Sequence, residues 1–277
     1  METISTNRSH GGVQGVYTHA SAVTNTEMTF AVYVPDREDD EKLPVLWYLS
    51  GLTCTHANVM EKGEYRRMAS ELGLIIICPD SSPRGQDIPD DPAYDMGQGA
   101  GFYVDATQEP WAANFQMRSY VEQELPALIA DEIPAADMQR QGIFGHSMGG
   151  HGALTIALRN PDRFKSVSAF APIVAPSEVP WGKKALGRYL GEKKSAWRIY
   201  DACALIEDGA RVPEILVDQG AADNFLDQQL KPHLLQEACD QAGIGLTLNM
   251  RKGHDHSYFT ISTFMDDHLR WHAARLG

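Results

Sequence analysis

The sequence predicts an α/β fold in which helices cover both faces of a mostly parallel sheet. Short, almost wholly apolar runs are typical of strands buried on both faces, and such runs occur at 45–49, 74–78, 142–144, 167–170 and 215–217. Helix-length segments alternate with these strands, at 64–71, 117–130, 150–159 and 226–241. Strands that alternate with helices favour a doubly wound sheet with right-handed crossovers between parallel strands.

Both ends of the chain add elements to this sheet. Residues 28–34 alternate apolar and polar side chains, as a half-buried strand does. A polar turn at 36–42 leads into the strand at 45–49, so these two strands are expected to form an N-terminal antiparallel hairpin. Residues 246–250 predict one more strand, and a helix at 261–275 is expected to close the fold.

The length and composition of the chain favour a single domain. Its 277 residues, 43% hydrophobic and 22% charged, can bury a sizeable core, which excludes a disordered tail, a coiled coil or a disulfide-stabilised miniprotein. No Pro/Gly/Ser-rich linker, block of like charge or repeat of fixed period divides the chain. Residues 1–277 are therefore expected to form one domain.

Charge and hydropathy limit the partners of the protein. The chain has 24 Lys and Arg against 37 Asp and Glu, a net charge of −13, whereas polyanions are bound by clustered Lys and Arg. We therefore expect no nucleic acid partner and no binding to an anionic membrane. The most apolar run, residues 72–78, is far shorter than the roughly 20 residues of a membrane-spanning helix.

The N-terminal residues and the cysteines favour a cytoplasmic protein. The first ten residues, METISTNRSH, contain no apolar stretch that would act as a secretory signal. Cys54, Cys78, Cys203 and Cys239 are far apart, without a C-x-x-C pair. Free thiols in a reducing compartment are therefore expected, rather than disulfides or a zinc site.

Two connections between predicted elements are too long for simple crossovers, at 80–111 and 172–213. Each follows a predicted strand, so each begins at the carboxyl edge of the sheet, where open α/β folds bind their ligands. These two segments are expected to form the walls of a pocket.

One glycine-rich segment has the setting of a nucleophile elbow. The sequence GHSMG at 145–149 follows the predicted strand at 142–144 and precedes the predicted helix at 150–159. In such a turn the glycines allow close approach, and the strained backbone presents the serine hydroxyl at the edge of the sheet. A glycine-rich crossover turn is the plainer alternative. We interpret Ser147 as a nucleophile, in the arrangement typical of α/β-hydrolases.

A serine nucleophile needs a base and an orienting acid, which in α/β-hydrolases follow it along the chain in the order acid, then histidine. Two acids fit. Asp218 ends the strand at 215–217, where a turn-capping or helix-capping role also suits it, and Asp223 lies in the loop that follows. The loop position favours Asp223.

Of the ten histidines, those after the last predicted strand are candidates for the base. His254 and His256 lie in the loop before the closing helix, and their positions alone do not separate them. His268 and His272 lie within that helix at a spacing that could bind a metal ion. No third ligand is near them in the sequence, so a solvated helix face is the preferred interpretation.

The negative charge that develops in acyl transfer needs backbone donors. The amide of Met148, after the nucleophile, is expected to supply one, and an amide after the strand at 45–49 the other. The segment SGLTC at 50–54 follows that strand directly, and Leu52 is the expected donor within it.

Seven segments together resemble the S-formylglutathione hydrolase family, also called esterase D. They are SGLTCT at 50–55, CPDSSPRG at 78–85, YDMGQGAGFYVDATQEPW at 94–111, GHSMGGHGAL at 145–154, SAFAPIVAPSEVPWG at 168–182, VDQGAADNFL at 217–226 and DHSY at 255–258. Long matches in this order, spread over nearly the whole chain, are far more specific than GHSMG alone. The resemblance implies an α/β-hydrolase fold.

The resemblance also implies roles for individual residues. It makes Ser147 the nucleophile, Asp223 the acid and His256 the base. It places the oxyanion donors at Leu52 and Met148. The two choices that chain position left open, between the acids and between the histidines, follow from the resemblance.

Three further residues are expected near the site. Cys54 falls on a cysteine that the family keeps beside it, which implies sensitivity to thiol reagents, and a buried, inert thiol is the alternative. A small acyl pocket, narrowed by Trp181 or Trp111, is expected to set specificity. The chain departs from the family at His254 and Thr260, so the pocket rim is expected to differ from the family's usual form.

The implied activity is that of a serine hydrolase that cleaves the thioester S-formylglutathione to glutathione and formate through a formyl-enzyme, a step of formaldehyde detoxification. The resemblance implies no metal and no organic cofactor, and it suits a homodimer. A general short-chain carboxylesterase or thioesterase would use the same triad and is the main alternative. An acyltransferase is less favoured, and so is a non-catalytic binding protein, because every triad residue is present.

Overall fold

The computed structural model describes all 277 residues and contains one sheet of nine strands in the order β1-β2-β3-β5-β4-β6-β7-β8-β9. The strands are β1 (Glu2–Arg8), β2 (Gly12–Ser21), β3 (Thr26–Pro35), β4 (Leu43–Leu49), β5 (Ile75–Pro79), β6 (Ala136–His146), β7 (Phe164–Phe170), β8 (Glu214–Gly220) and β9 (Gly245–Arg251). Neighbours run antiparallel from β1 to β5 across the sheet and parallel from β5 to β9. The predicted fold class, a mostly parallel sheet with an antiparallel N-terminal part, is confirmed.

Nine α-helices pack on this sheet. They are α1 (His56–Lys62), α2 (Arg66–Leu72), α3 (Met117–Ser119), α4 (Leu125–Glu132), α5 (Met148–Arg159), α6 (Pro180–Leu190), α7 (Ala202–Glu207), α8 (Pro232–Ala242) and α9 (Tyr258–Leu276). Single π-helical turns precede α4 at Tyr120–Glu124 and α8 at Leu226–Leu230. No helix has both the length and the apolar character required to cross a membrane.

The expected hairpin between residues 28–34 and 45–49 is wrong. The strand β3 pairs with β2 on one side and with β5 on the other. Because α1 and α2 carry the chain back across the sheet, β5 enters parallel to β4 and lies between it and β3. The antiparallel hairpin is instead formed by β2 and β3. The sequence did not reveal β1, because all of its side chains are exposed and mostly polar.

Side chains that alternate along the central strands form two cores, one on each face of the sheet. In β4, Val45, Trp47 and Leu49 belong to the larger core, whereas Leu46 and Tyr48 belong to the smaller one. The larger core is covered by α4 to α8, and the smaller by α1, α2 and α9. Strands buried on both faces therefore produce the continuous apolar runs seen in the sequence.

The interpretation of His268 and His272 as a solvated helix face is wrong. Both side chains are fully buried, because α9 packs across β6, β7 and β8. The Ser168 hydroxyl lies 2.8 Å from both His268 Nδ1 and His272 Nε2, and the Ser166 hydroxyl lies 2.6 Å from His272 Nδ1. Burial lowers the pKa of both imidazoles, so a neutral polar network joins α9 to β7.

The two long connections cover the larger core at the carboxyl edge of the parallel strands. Residues 80–111 contain no helix and no strand of the sheet, yet Met96, Phe102 and Val104 are buried there. Residues 172–213 contain α6 and α7. Both segments pack against the start of α5, where a Cβ on Gly152 would lie 2.6 Å from Tyr103 and one on Gly150 would lie 2.9 Å from Pro172.

Candidate active site

Ser147 lies in the sharp turn between β6 and α5. Its φ of 57° and ψ of −117° are strained for a residue with a Cβ, and such a conformation persists only where the surroundings hold it. Its amide donates to Phe170 O at 2.9 Å. A Cβ on Gly145 would lie 2.4 Å from Gly149 O, and one on Gly149 would lie 1.9 Å from Leu49 O. The turn thus has the geometry of a nucleophile elbow.

His256 and Asp223 form a hydrogen-bonded pair. His256 Nδ1 donates to Asp223 Oδ2 at 2.6 Å, and the Asp223 side chain is fully buried. The same carboxylate accepts from the Phe225 amide at 2.8 Å and from Gln219 Nε2 at 3.1 Å. With Asp223 Oδ2 accepting the hydrogen bond from His256, the imidazole proton lies on Nδ1. His256 Nε2 is therefore the nitrogen left to accept a proton.

The alternative acid and base lie in different surroundings. Asp218 Oδ2 accepts from Arg251 Nη2 at 3.1 Å and lies 3.5 Å from His268 Nε2. Burial opposes ionisation of Asp218, but the nearby His268 and hydrogen bonds from Arg251 and Asn249 hold its pKa below the usual value. The His254 ring packs against Phe264, 4.8 Å between centroids. Asp218 therefore belongs to the α9 network, and His254 to the outer surface of α9.

Ser147 and His256 line one cavity of about 140 Å³ at the carboxyl edge of the sheet. No hydrogen bond joins the Ser147 hydroxyl to His256 across this cavity. Hydrogen bonds between catalytic groups are often long or unformed before substrate binds. The ring centroids of Trp181 and Phe225 lie 4.7 Å apart, and those of Phe225 and His256 lie 5.0 Å apart. The remaining walls come from the segment after β4, the residue before the serine and the first long connection: Gly51, Leu52, Thr53, Cys54, His146 and Tyr94.

Only one of the two tryptophans expected at the acyl pocket reaches it. Trp181 lines the cavity. Trp111 packs in the core instead, edge-on against Phe115 at 5.2 Å and Tyr189 at 5.5 Å, so it does not narrow the pocket as expected. Tyr94, which was not predicted as a site residue, stands at the rim, 56% exposed and 6.2 Å from the Trp181 ring.

Two backbone amides beside Ser147 are available as donors. Met148 is the first residue of α5, and the first amides of a helix have no partner within it. In the segment after β4, the Thr53 amide donates to Gly99 O at 2.8 Å, whereas the Leu52 amide makes no backbone hydrogen bond. Leu52 also lines the cavity. The pair could hold an oxyanion, assisted by the positive end of α5.

His146 is a feature of the site that the sequence did not reveal. Neither of its buried ring nitrogens has a hydrogen-bond partner, and its ring lies 4.5 Å from that of His256. Burial, and then the neighbouring His256, hold its pKa well below the usual value for histidine. A Cβ on Gly51 would lie 3.2 Å from His146 Nδ1. A neutral imidazole thus fills the space between the base and the segment that carries Leu52.

Cys54 lines the cavity and is only partly exposed. Burial raises the pKa of its thiol, although the nearby Tyr258 hydroxyl opposes this. Because the thiolate is the reactive form of cysteine, Cys54 is a weak nucleophile at neutral pH.

A second, larger cleft of about 470 Å³ lies between α7 and α8, away from Ser147. Both of its arginines are already engaged, Arg198 with Glu207 at 2.8 Å and Arg211 with Ile206 O at 2.8 Å. No group of three or more His, Cys, Asp or Glu side chains that could hold a metal ion occurs in the structure.

Known proteins resemble this chain over its full length. The esterase family model matches residues 21–274. The S-formylglutathione hydrolase of Paracoccus denitrificans (strain Pd 1222) is 54% identical over 276 residues, covering 100% of this chain and 98% of the relative. A solved structure of an S-formylglutathione hydrolase from Agrobacterium tumefaciens is 65% identical, covers 100% of both chains and has a TM-score of 0.98.

A more distant likeness concerns the fold alone. A fluorophosphonate-binding serine hydrolase of Staphylococcus aureus has a TM-score of 0.75 at 17% identity, covering 95% of this chain and 98% of its own.

The full-length matches to the two S-formylglutathione hydrolases confirm the resemblance found in the sequence. The chain belongs to the esterase family, in the group of the S-formylglutathione hydrolases.

Proposed function

We propose that this protein hydrolyses the thioester S-formylglutathione to glutathione and formate, with Ser147 as nucleophile, His256 as base and Asp223 as the acid that orients the base. The observation that carries the proposal is the 2.6 Å hydrogen bond from His256 Nδ1 to Asp223, at the cavity that Ser147 also lines. Full-length similarity to two S-formylglutathione hydrolases supports the choice of substrate.

In the first half-reaction Ser147 Oγ attacks the formyl carbon while its proton passes to His256 Nε2. The carbonyl oxygen becomes an oxyanion, which the amides of Leu52 and Met148 stabilise. The C–S bond then breaks, its electron pair leaves on sulfur, and the sulfur takes the proton from His256. A thiol of pKa about 8.5 is a good leaving group, so this protonation need not be far advanced in the transition state.

In the second half-reaction water takes the place of glutathione. His256 Nε2 removes a proton from the water as its oxygen attacks the formyl carbon, and the same amides hold the new oxyanion. The bond to Ser147 Oγ breaks, and the oxygen recovers its proton from His256. Formic acid leaves and loses its remaining proton to solvent as formate, and the enzyme returns to its starting state.

The cavity favours a small acyl group. Its volume is about 140 Å³, and Trp181 and Phe225 stand close to His256. An acyl chain of several carbons would collide with these rings, so the rate is expected to fall as the acyl chain lengthens.

The proposal also concerns the protein as a whole. We infer that residues 1–277 form one domain, because one sheet continues from β1 to β9. The triad and two amides supply each step, so no metal or organic cofactor is required. A net charge of −13 opposes binding to nucleic acid, and four free cysteines suit the cytoplasm. Light scattering during size-exclusion chromatography would test whether the protein is a homodimer.

A panel of substrates tests the activity. We expect kcat/KM to fall steeply from formyl to acetyl to butyryl thioesters of glutathione, and to be lower for p-nitrophenyl esters. A flat profile would instead indicate the general short-chain carboxylesterase. Product analysis with added alcohols would reveal acyl transfer.

The Ser147→Ala variant tests the nucleophile. Because Ser147 Oγ is the atom that carries the formyl group in this mechanism, kcat is expected to fall by about 10⁶-fold. Hydrolysis of S-formylglutathione by this variant at the wild-type rate would rule out Ser147 as the nucleophile.

A further inference from the structure

The segment after β4 that carries Leu52 is held in an unusual backbone conformation. Thr53 has a φ of 68°, in the left-handed region that residues with a Cβ rarely adopt. Its amide donates to Gly99 O at 2.8 Å, and a Cβ on Gly99 would lie only 3.1 Å from Thr53 Cα. The orientation of the Leu52 amide therefore depends on contacts made by the residues that follow it.

The carbonyl group of Cys54 is the second anchor of this segment. It accepts a hydrogen bond from Arg84 Nη2 at 3.0 Å and another from the Ser81 hydroxyl. Arg84 Nε in turn donates to both carboxylate oxygens of Asp80, at 3.1 Å each. A chain of contacts thus runs from Asp80 through Arg84 to the backbone two residues beyond Leu52.

The Asp80 end of this chain of contacts is buried. The side chain of Asp80 is 8% exposed and that of Arg84 is 34% exposed. Burial raises the pKa of Asp80, and the charge and hydrogen bonds of Arg84 oppose that change. Asp80 also accepts from the Ser81 amide at 2.6 Å. Arg84 Nε, shared between the two Asp80 oxygens, and Arg84 Nη2, on the Cys54 carbonyl, together fix the guanidinium plane.

We propose that Arg84, oriented by Asp80, is a positioning residue for the oxyanion donor: it holds the Cys54 carbonyl and thereby keeps the Leu52 amide aimed at the reacting carbonyl oxygen. The role rests on the proposed function, in which the Leu52 amide stabilises the oxyanion. Arg84 does not line the cavity, so it acts through the backbone and not on the substrate. It is consequently expected to affect the transition state more than substrate binding.

The Arg84→Met variant tests this role, because methionine keeps much of the apolar stem and removes the donors. Loss of an oxyanion donor costs about 10²- to 10³-fold in rate, and a displaced donor costs less. We expect kcat to fall about 10- to 100-fold, with KM changed less than about twofold. The pH at which kcat/KM is half-maximal is expected to stay the same, because His256 is untouched. Arg84→Lys, which restores a single donor, is expected to recover part of the loss.

Three further measurements separate positioning from general damage. Rates are expressed per active site titrated with a phosphonate, which corrects for misfolded protein. Binding of a trifluoromethyl ketone, whose adduct with Ser147 presents an oxyanion, is expected to weaken in proportion to kcat/KM. The Asp80→Asn and Arg84→Met effects are expected to be less than additive in the double variant. Arg8→Met, which breaks the exposed pair with Asp36, serves as the matched control.

Two outcomes would overturn the proposal. A raised KM with unchanged kcat would make Arg84 a substrate-binding residue, and unchanged kcat per titrated site would make its role purely structural. If Arg84→Met does not fold, Ser81→Ala removes the other donor to Cys54 O and is expected to lower kcat in the same way. The same measurements on p-nitrophenyl acetate test the positioning role even if the wild-type protein does not hydrolyse S-formylglutathione, so the two proposals fail separately.

Discussion

At the scale of single residues, the proposed triad depends most sharply on the charge of Asp223. In Asp223→Asn the amide can still accept from the Phe225 amide, but its NH₂ group would face His256 Nδ1 and favour the wrong tautomer. We expect kcat to fall by about 10⁴-fold, as in other serine hydrolases that carry this change. Steady-state assays at pH 7.5 measure this loss of kcat. A loss smaller than tenfold would argue against Asp223 as the triad acid.

Asp218 supplies the matched control for that variant. It binds Arg251 and lies near His268, so Asp218→Asn is expected to weaken the α9 network without touching His256. We expect kcat per folded molecule within about threefold of wild type, together with a lower midpoint in urea. If Asp218→Asn abolished activity while Asp223→Asn did not, the assignment of the two acids would have to be exchanged.

The thiol of Cys54 is expected to react slowly with alkylating reagents at neutral pH. Burial raises its pKa, so the thiolate fraction at pH 7 is smaller than that of an ordinary cysteine, and it grows as the pH rises. Inactivation by iodoacetamide should therefore be slower than alkylation of free glutathione, and its rate should still increase above pH 9. Cys54→Ser should remove the effect. A rate that levels off below pH 8 would mean that the pKa is lowered instead.

The sequence could indicate which residues carry the chemistry better than how they are placed. Ser147 was identifiable from a local pattern, because the elbow needs glycines at fixed positions. The choices between Asp218 and Asp223, and between His254 and His256, depended on side-chain contacts across the fold. The position of Asp223 in the loop already favoured it, but only the family resemblance distinguished His256 from His254. Trp111 was misplaced for the same reason, since an aromatic residue in a long connection can face either the core or the cavity.

At the scale of helices and strands, burial decided which elements the sequence could predict. The strands β4 to β8 are apolar because helices cover both of their faces. By contrast, β1 is wholly exposed and carries no apolar signal. The partners of β3 could not be predicted from the sequence near it, because the order of strands depends on where α1 and α2 return the chain to the sheet. In α9, the polar character of His268 and His272 suggested a solvent-facing side of the helix. Serines on β7 instead supply hydrogen-bond partners that allow both histidines to be buried.

The network beneath α9 yields a stability prediction for that helix. Ser168→Ala would leave His268 Nδ1 and His272 Nε2 buried without their shared partner. Leaving buried polar groups unpaired costs about 1–3 kcal/mol each, so urea unfolding should show a destabilisation of that order. The kcat per folded molecule should not change, because His256 precedes α9 and is held by Asp223. A neutral effect on unfolding would show that water or rearrangement restores both partners.

At the scale of the whole molecule, the sheet brings distant parts of the chain to one edge. Ser147 follows β6, Asp223 follows β8 and His256 follows β9, and parallel strands end on the same side. Chain order together with a parallel sheet therefore predicts that these residues converge. The shape of the cavity was not predictable in this way, since its walls come from long connections whose conformation depends on packing against the finished core.

Four buried histidines make the stability of the whole molecule sensitive to acid. They are His146, His151, His268 and His272. Burial lowers the pKa of each imidazole, to about 4 for His151. Because their folded pKa values lie below the unfolded value near 6.5, the unfolded chain binds protons first as the pH falls. Each histidine can then lower the free energy of unfolding by up to about 1.4 kcal/mol per pH unit between the two values.

Urea unfolding at pH 7.5, 6.0 and 5.0 measures this loss. Carboxylates such as Asp218, whose pKa is lowered in the fold, lose their contribution only below about pH 4. Asp80, whose pKa is raised, changes the stability in the opposite direction, so a loss of stability between about pH 6.5 and 4.5 reports the histidines. His151→Gln keeps a donor for Phe102 O, which His151 Nε2 contacts at 2.9 Å, but removes one titrating group. Its stability should therefore depend less steeply on pH than that of the wild type. A free energy of unfolding that stays constant from pH 7 to 5 would mean that these imidazoles are protonated, or hydrated, within the folded protein.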